Sequence, residues 1–112
     1  MGTTPPVGQV RLTDPQGVLV VLTAERWAHI LTRRKEMVPH RQDLEHTVTA
    51  PDAIYQKGTA RIYFKRVVSP KHGRMHLRAT VVKHQDHFVV TAWLMPEVRP
   101  KGAVQIWPTP CP

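Results

Sequence analysis

Seven histidines in 112 residues put imidazole at the centre of any chemistry this chain could perform. They stand at positions 29, 40, 46, 72, 76, 84 and 87. Histidine near neutral pH serves either as a metal ligand or as a proton carrier. The spacing argues against the first role. No HExxH, CxxC or HxH occurs, and the close pairs His72/His76 and His84/His87 straddle predicted turns. Ser69 is the only serine and precedes Pro70, so a serine nucleophile has little support. Cys111 is the only cysteine, which removes a disulfide framework and a multi-thiolate zinc site together. A Gly-rich phosphate loop is absent, and the acids are scattered singly, which disfavours paired-carboxylate hydrolysis. The remaining inventory of His, Arg, Lys and Thr suits metal-independent cleavage of RNA, with no cofactor. A base takes the ribose 2′-OH proton and the oxygen attacks the adjacent phosphorus. Arg or Lys holds the extra charge, and an acid protonates the departing 5′-oxygen, leaving a 2′,3′-cyclic phosphate.

Charge points to the same class of partner. Sixteen Lys and Arg face eight Asp and Glu, a net charge of +8. Between Ala53 and Gln85 there is no acid, while Lys57, Arg61, Lys65, Arg66, Lys71, Arg74, Arg78 and Lys83 fall in that window. A basic stripe of this kind fits a polyanion, nucleic acid first and an acidic protein second. The hydrophobic fraction of 41% fills a small core and excludes a disordered chain. No apolar run approaches the roughly 18 residues of a membrane span, and no secretory signal pattern opens the chain. The expected setting is the cytoplasm, or that of a target cell into which the chain is delivered. The organisation reads as a flexible leader over 1–8, one domain over 9–96 and a Pro-rich tail over 97–112. Oligomeric state stays open.

The elements that must position these groups read as α+β. Asp14-Pro15-Gln16-Gly17 suits a type I turn between two apolar, β-branched runs, Gln9–Leu12 and Val18–Leu22, predicting a hairpin. Thr23 is a good N-cap for a helix whose Trp27, Ile30, Leu31, Met37 and Val38 share an arc and which ends before Pro39. A second helix is predicted over about Arg41–Thr49, stopped by Pro51-Asp52. Ile54-Tyr55 is short and extended. Period-2 alternation predicts strands at Arg61–Val68, His76–Lys83 and His87–Leu94. Their apolar faces would carry Ile62, Phe64 and Val68, then Leu77, Ala79 and Val81, then Phe88, Val90, Ala92 and Leu94. The hairpin and helices would cover that face. The other face would carry Arg61, Tyr63, Lys65, His76, Arg78, Thr80, His87, Thr91 and Trp93, a surface able to neutralise phosphates and stack bases.

Several of these segments resemble a known family. Thr23–Arg33 (TAERWAHILTR) resembles the W-x-H-I-x-x-R-H helix of a group of small nucleases, and Ala50–Tyr55 (APDAIY) resembles the P-D-x-I-Y segment that opens their sheet. The strands RIYFK at 61–65 and VVTAW at 89–93 follow in the same order. Together, residues 18–95 are similar to the phage-associated barnase–EndoU–colicin–RelE-like nuclease domains. The resemblance implies helices packed on a four- or five-stranded antiparallel sheet and a metal-independent, toxin-type endoribonuclease. It matches His29 and Arg33 to the helix His and Arg, Lys65 to the basic residue of the middle strand, and Thr91 to the hydroxyl residue of the last strand. Arg34 stands where a second His is usual, and Lys35 where Pro is usual.

The expected catalytic set is therefore His29, Arg34, Lys65 and Thr91. His29 would act in proton transfer, Arg34 and Lys65 would hold phosphate, and Thr91 would position phosphate or the 2′-OH. Arg33, Arg61, Tyr63, His76, Arg78 and Trp93 would bind the nucleic acid. The expected partners are RNA, tRNA among the candidates, and an acidic antitoxin or immunity protein. Two alternatives stand beside this reading. One is a non-catalytic, basic nucleic-acid-binding module. The other is an accessory protein that binds an acidic protein partner.

Overall fold

The run Val10–Leu22 folds back on itself because Asp14 organises its turn. In the computed structural model, which describes residues 9–84, 86–98 and 101–108, the Asp14 N–H donates to Val18 O at 2.9 Å and the Gly17 N–H to Asp14 O at 3.0 Å. Gly17 closes the turn at φ +82°, a left-handed conformation that suits glycine. The flanking strands β1 (Val10–Thr13) and β2 (Leu19–Leu22) pair antiparallel, Leu12 opposite Val20. The expected leader, residues 1–8, lies outside the described residues.

Helix α1 (Ala24–Arg33) starts at Thr23, whose hydroxyl accepts the Arg26 N–H at 3.1 Å. It ends six residues before Pro39, short of the expected boundary. Pro39 has no N–H to give the Lys35 carbonyl and its ring crowds that carbonyl, so the turn before it is not held as α-helix. Arg34 instead leaves helical geometry, and a 3-10 segment runs from Lys35 to His40. That segment buries Met37 and His40 before α2 (Arg41–Thr49) begins.

Five further strands follow: β3 (Ala53–Lys57), β4 (Ala60–Ser69), β5 (Gly73–His84), β6 (Asp86–Met95) and β7 (Val104–Trp107). The fold is α+β, but among the described residues the sheet has seven strands rather than four or five, in the order β1-β2-β6-β5-β4-β3-β7. The expected hairpin belongs to the sheet instead of packing on it. β7 arises inside the expected tail and pairs with β3. All pairs are antiparallel except β2 with β6, where Val20 and Val21 lie opposite His87 and Phe88.

The sheet curls around α2. That helix packs against β1, β4 and β5 together, and Met37, Leu44 and Val48 meet Val20, Leu22, Ile54, Leu77, Ala79 and Val81 in one buried core. The curl brings the β1–β2 turn back to the far strands. Gln16 Nε2 donates to Ile106 O of β7 at 3.2 Å. Arg61 of β4 donates to Asp14 Oδ2 at 2.7 Å and to Gln16 Oε1 at 2.6 Å. The Tyr63 hydroxyl donates to the same Asp14 oxygen at 2.6 Å, and Arg61 Nε donates to the Tyr63 oxygen at 3.0 Å.

This network corrects the facing of β4. Tyr63 lies in the core and shares the inner face with Arg61 and Lys65, whose partners on β5 are Ala79, Val81 and Leu77. Ile62, Phe64 and Val68 therefore point to the outer face, the reverse of the expectation. β5 faces as expected. In β6 the pairing shifts between Thr80↔Thr91 and Val81↔Val89, which leaves Val90 as an extra residue. Ala92 and Leu94 are in the core as expected, but upstream of the bulge Val89 is inward rather than Phe88 and Val90.

Burial by itself would raise the Asp14 carboxyl. The bonds from Tyr63, the Val18 N–H, Arg61 and the Gln16 N–H outweigh it and hold the group below its ordinary value. Burial likewise pushes the Tyr63 phenol up, with Asp14 adding to the rise and Arg61 opposing it. A carboxyl depressed in the folded state contributes stability above its unfolded value of about 3.9, and the contribution is lost as pH falls through the lower folded value. Asp14→Ala would strand the Arg61 guanidinium and is expected to cost about 3–5 kcal/mol in urea unfolding. Asp14→Asn should flatten the acid limb of a stability–pH profile. A wild-type acid limb in the variant would refute the assignment.

Candidate nucleic-acid interface

Turning Phe64 outward builds the principal cluster of the outer face. Cross-strand pairing aligns Phe64 of β4, Arg78 of β5 and Trp93 of β6 in one row. The Arg78 guanidinium lies 4.8 Å from the Trp93 ring centroid and 6.0 Å from that of Phe64. Arg34, just past the end of α1, lies 5.2 Å from the Trp93 centroid. At the other end Tyr55 meets Phe64 edge-on, with centroids 5.7 Å apart. Cations and rings thus form a transverse ladder, Arg34–Trp93–Arg78–Phe64–Tyr55.

Two rows flank this ladder. On one side Thr80 lies opposite Ile62 and Thr91. On the other His76 lies opposite Arg66 and Met95. Arg78, Thr91, Trp93 and His76 are all half-buried. Arg78 Nε and Thr80 Oγ1 are buried with no hydrogen-bond partner among the described residues. Desolvation lowers the Arg78 pKa, and among the described residues no carboxylate pairs with it to restore it. The row therefore holds a partly buried guanidinium between two rings.

The structure divides the expected site residues. Arg34, His76, Arg78, Thr91 and Trp93 come together on or beside the outer face. Lys65 does not, because its Nζ donates to the Ala50 carbonyl at 2.7 Å and caps the C-terminal end of α2. Arg61 and Tyr63 are spent inside the Asp14 network. His29 and Arg33 are exposed on α1, and no hydrogen bond or ring contact joins them to the ladder. Phe64 and Tyr55 were not legible as members, because their place depends on the facing of β4. His40, in the 3-10 segment, is buried and holds Asp43 through Nδ1 at 2.8 Å.

Among the described residues, no three His, Cys, Asp or Glu side chains gather as metal ligands. No helix among them is long and apolar enough to cross a membrane. No protein-family model, curated protein or solved structure matches this chain.

Two substitutions test these structural assignments by urea unfolding. Lys65→Ala removes a helix-end hydrogen bond and is expected to cost about 0.5–1 kcal/mol. Thr80→Val removes a hydroxyl with no partner to lose, so the midpoint should stay or rise. A fall of more than about 1 kcal/mol for Thr80→Val would mean that the hydroxyl is bonded in solution.

Proposed function

We propose that this protein binds single-stranded RNA on the outer face of its sheet. The observation that carries the reading is Arg78, stacked on Trp93 and Phe64 and without an anionic partner among the described residues. A phosphate would supply the missing charge-assisted hydrogen bonds. Arg34 would add a second guanidinium on the far side of the row, and the half-buried Tyr55 and Trp93 offer ring surface to bases. A sheet carrying rings and cations suits splayed bases better than a duplex, whose grooves are read by a projecting helix or ribbon.

A second reading, cleavage, is favoured by the position of His76. It stands one same-face step along β5 from Arg78, and Thr91 lies in the row on the opposite side. In this reading His76 accepts the 2′-OH proton as the 2′-oxygen attacks phosphorus. Arg78 holds the charge on the phosphoryl oxygens, and the 5′-oxygen leaves with a proton from solvent. His76 would then take the part expected of His29.

Fluorescence anisotropy with a labelled oligouridylate tests binding. Affinity should fall with salt, Arg78→Ala should weaken it about tenfold or more, and Lys65→Ala should leave it unchanged. Wild-type affinity in Arg78→Ala would refute the site. Incubation of the labelled RNA in EDTA separates the two readings. A 2′,3′-cyclic phosphate product lost in His76→Ala and retained in His29→Ala establishes cleavage, and intact RNA leaves a binding module.

A further inference from the structure

The transverse ladder is one arm of the outer face, and a second arm runs along the strands. On β5, Arg74, His76 and Arg78 alternate with the inward-facing Met75 and Leu77 and share the outer face. Each same-face step advances about 7 Å, comparable with the step between phosphates along an extended strand. Arg66 of β4 lies opposite His76, and Val68 lies opposite Arg74. Arg66, Val68 and Arg74 also border a cleft whose remaining lining, Asp43 of α2 and Val67, lies on the inner side of the sheet.

The charges of this end are available to a ligand. The Arg66 side chain is 81% exposed, with Nε 3.8 Å from Asp52 Oδ2, a loose solvated pair. Asp52 also accepts the Arg66 backbone N–H at 2.7 Å, so it belongs to the strand as much as to the guanidinium. Arg74 is exposed and no acid pairs with it among the described residues. The cleft's own acid, Asp43, is engaged by His40 Nδ1 at 2.8 Å. Val68 is 72% exposed beside these cations, an apolar surface against which a base or ribose can lie.

We infer that the bound strand runs lengthwise along β5, from the Arg78–Trp93 slot past His76 to a second phosphate subsite formed by Arg74 and Arg66. This rests on the RNA-binding reading and deepens it by assigning a path, a length and two residues that the ladder does not include. A ligand confined to the slot would touch Arg78 and Arg34 alone. A longer one would add the two cations at the hairpin end.

The test compares trinucleotide and nonanucleotide oligouridylates by anisotropy over a salt series, using the full chain. The nonamer should bind more tightly and with a steeper salt dependence. The double variant Arg66→Ala/Arg74→Ala should reduce the nonamer's log–log salt slope by about 0.7, for the one phosphate no longer neutralised, and leave the trimer unchanged. A control double variant, Arg11→Ala/Lys101→Ala, removes the same charge from exposed positions elsewhere and should alter neither slope. Unchanged urea midpoints confirm that each variant folds. If wild type binds both lengths and the Arg66/Arg74 variant binds the nonamer like wild type, the path is wrong and the slot stands. If wild type binds neither length, the underlying reading fails and the path with it.

Discussion

The Asp14 carboxylate is the constraint on which the rest of the architecture depends. Its side chain is fully buried and accepts four hydrogen bonds, from the Gln16 and Val18 N–H groups, Arg61 and Tyr63. The first two shape the β1–β2 turn. The last two tie that turn to β4, four places away in the strand order. No flat sheet could make that contact, so the bond and the curl require one another. Gln16 extends the tie to β7, and the enclosed space is what α2 fills. A buried ion pair of this kind contributes little net stability over apolar residues of the same shape, whereas losing one partner is costly. What the network supplies is choice, because it selects one curvature and one facing for β4.

That facing is where the chemistry of the outer surface begins. Side chains alternate along a strand, so drawing Arg61 and Tyr63 inward turns Ile62, Phe64 and Arg66 outward. Phe64 then lies beside Arg78, and Arg66 beside His76. The hairpin-turn carboxylate thus determines which aromatic ring supports the Arg78 guanidinium, although the two lie on opposite faces of the sheet.

The amino-acid pattern carried much of this and failed for identifiable reasons. The hairpin, the Thr23 cap, α2 and the three long strands were legible because turn chemistry, capping and alternation are local. β5 was oriented correctly because Leu77, Ala79 and Val81 are apolar and their neighbours are not. β4 was not, because RIYFK offers a large apolar residue on one side and a tyrosine on the other. The deciding partner lies 47 residues away from Arg61 in Asp14. The β6 bulge at Val90 escaped for a similar reason, since VV reads the same in either register. β7 was hidden in a Pro-rich stretch where only its pairing with β3 reveals a strand. The grouping of Arg34, Arg78, Thr91, His76 and Trp93 on or beside the outer face was legible, whereas Lys65 and Arg61 looked like surface cations until their acceptors were in place.

Arg78 also bears on whether the ladder is adhesive alone. A cation over a ring contributes about 0.5–1 kcal/mol when exposed and about 2 when desolvated. Leaving a buried polar group without its hydrogen bond costs about 1–3 kcal/mol, and Arg78 Nε is such a group. The two effects are of similar size and opposite sign. A methionine or leucine at this position would cover Phe64 and Trp93 with no desolvation cost, so the guanidinium brings the fold itself no advantage. In the proposed RNA-binding reading, a phosphate would supply the missing bonds while the rings stay stacked. A cation that is neutral to the fold and favourable only with an anion bound is what a binding residue requires.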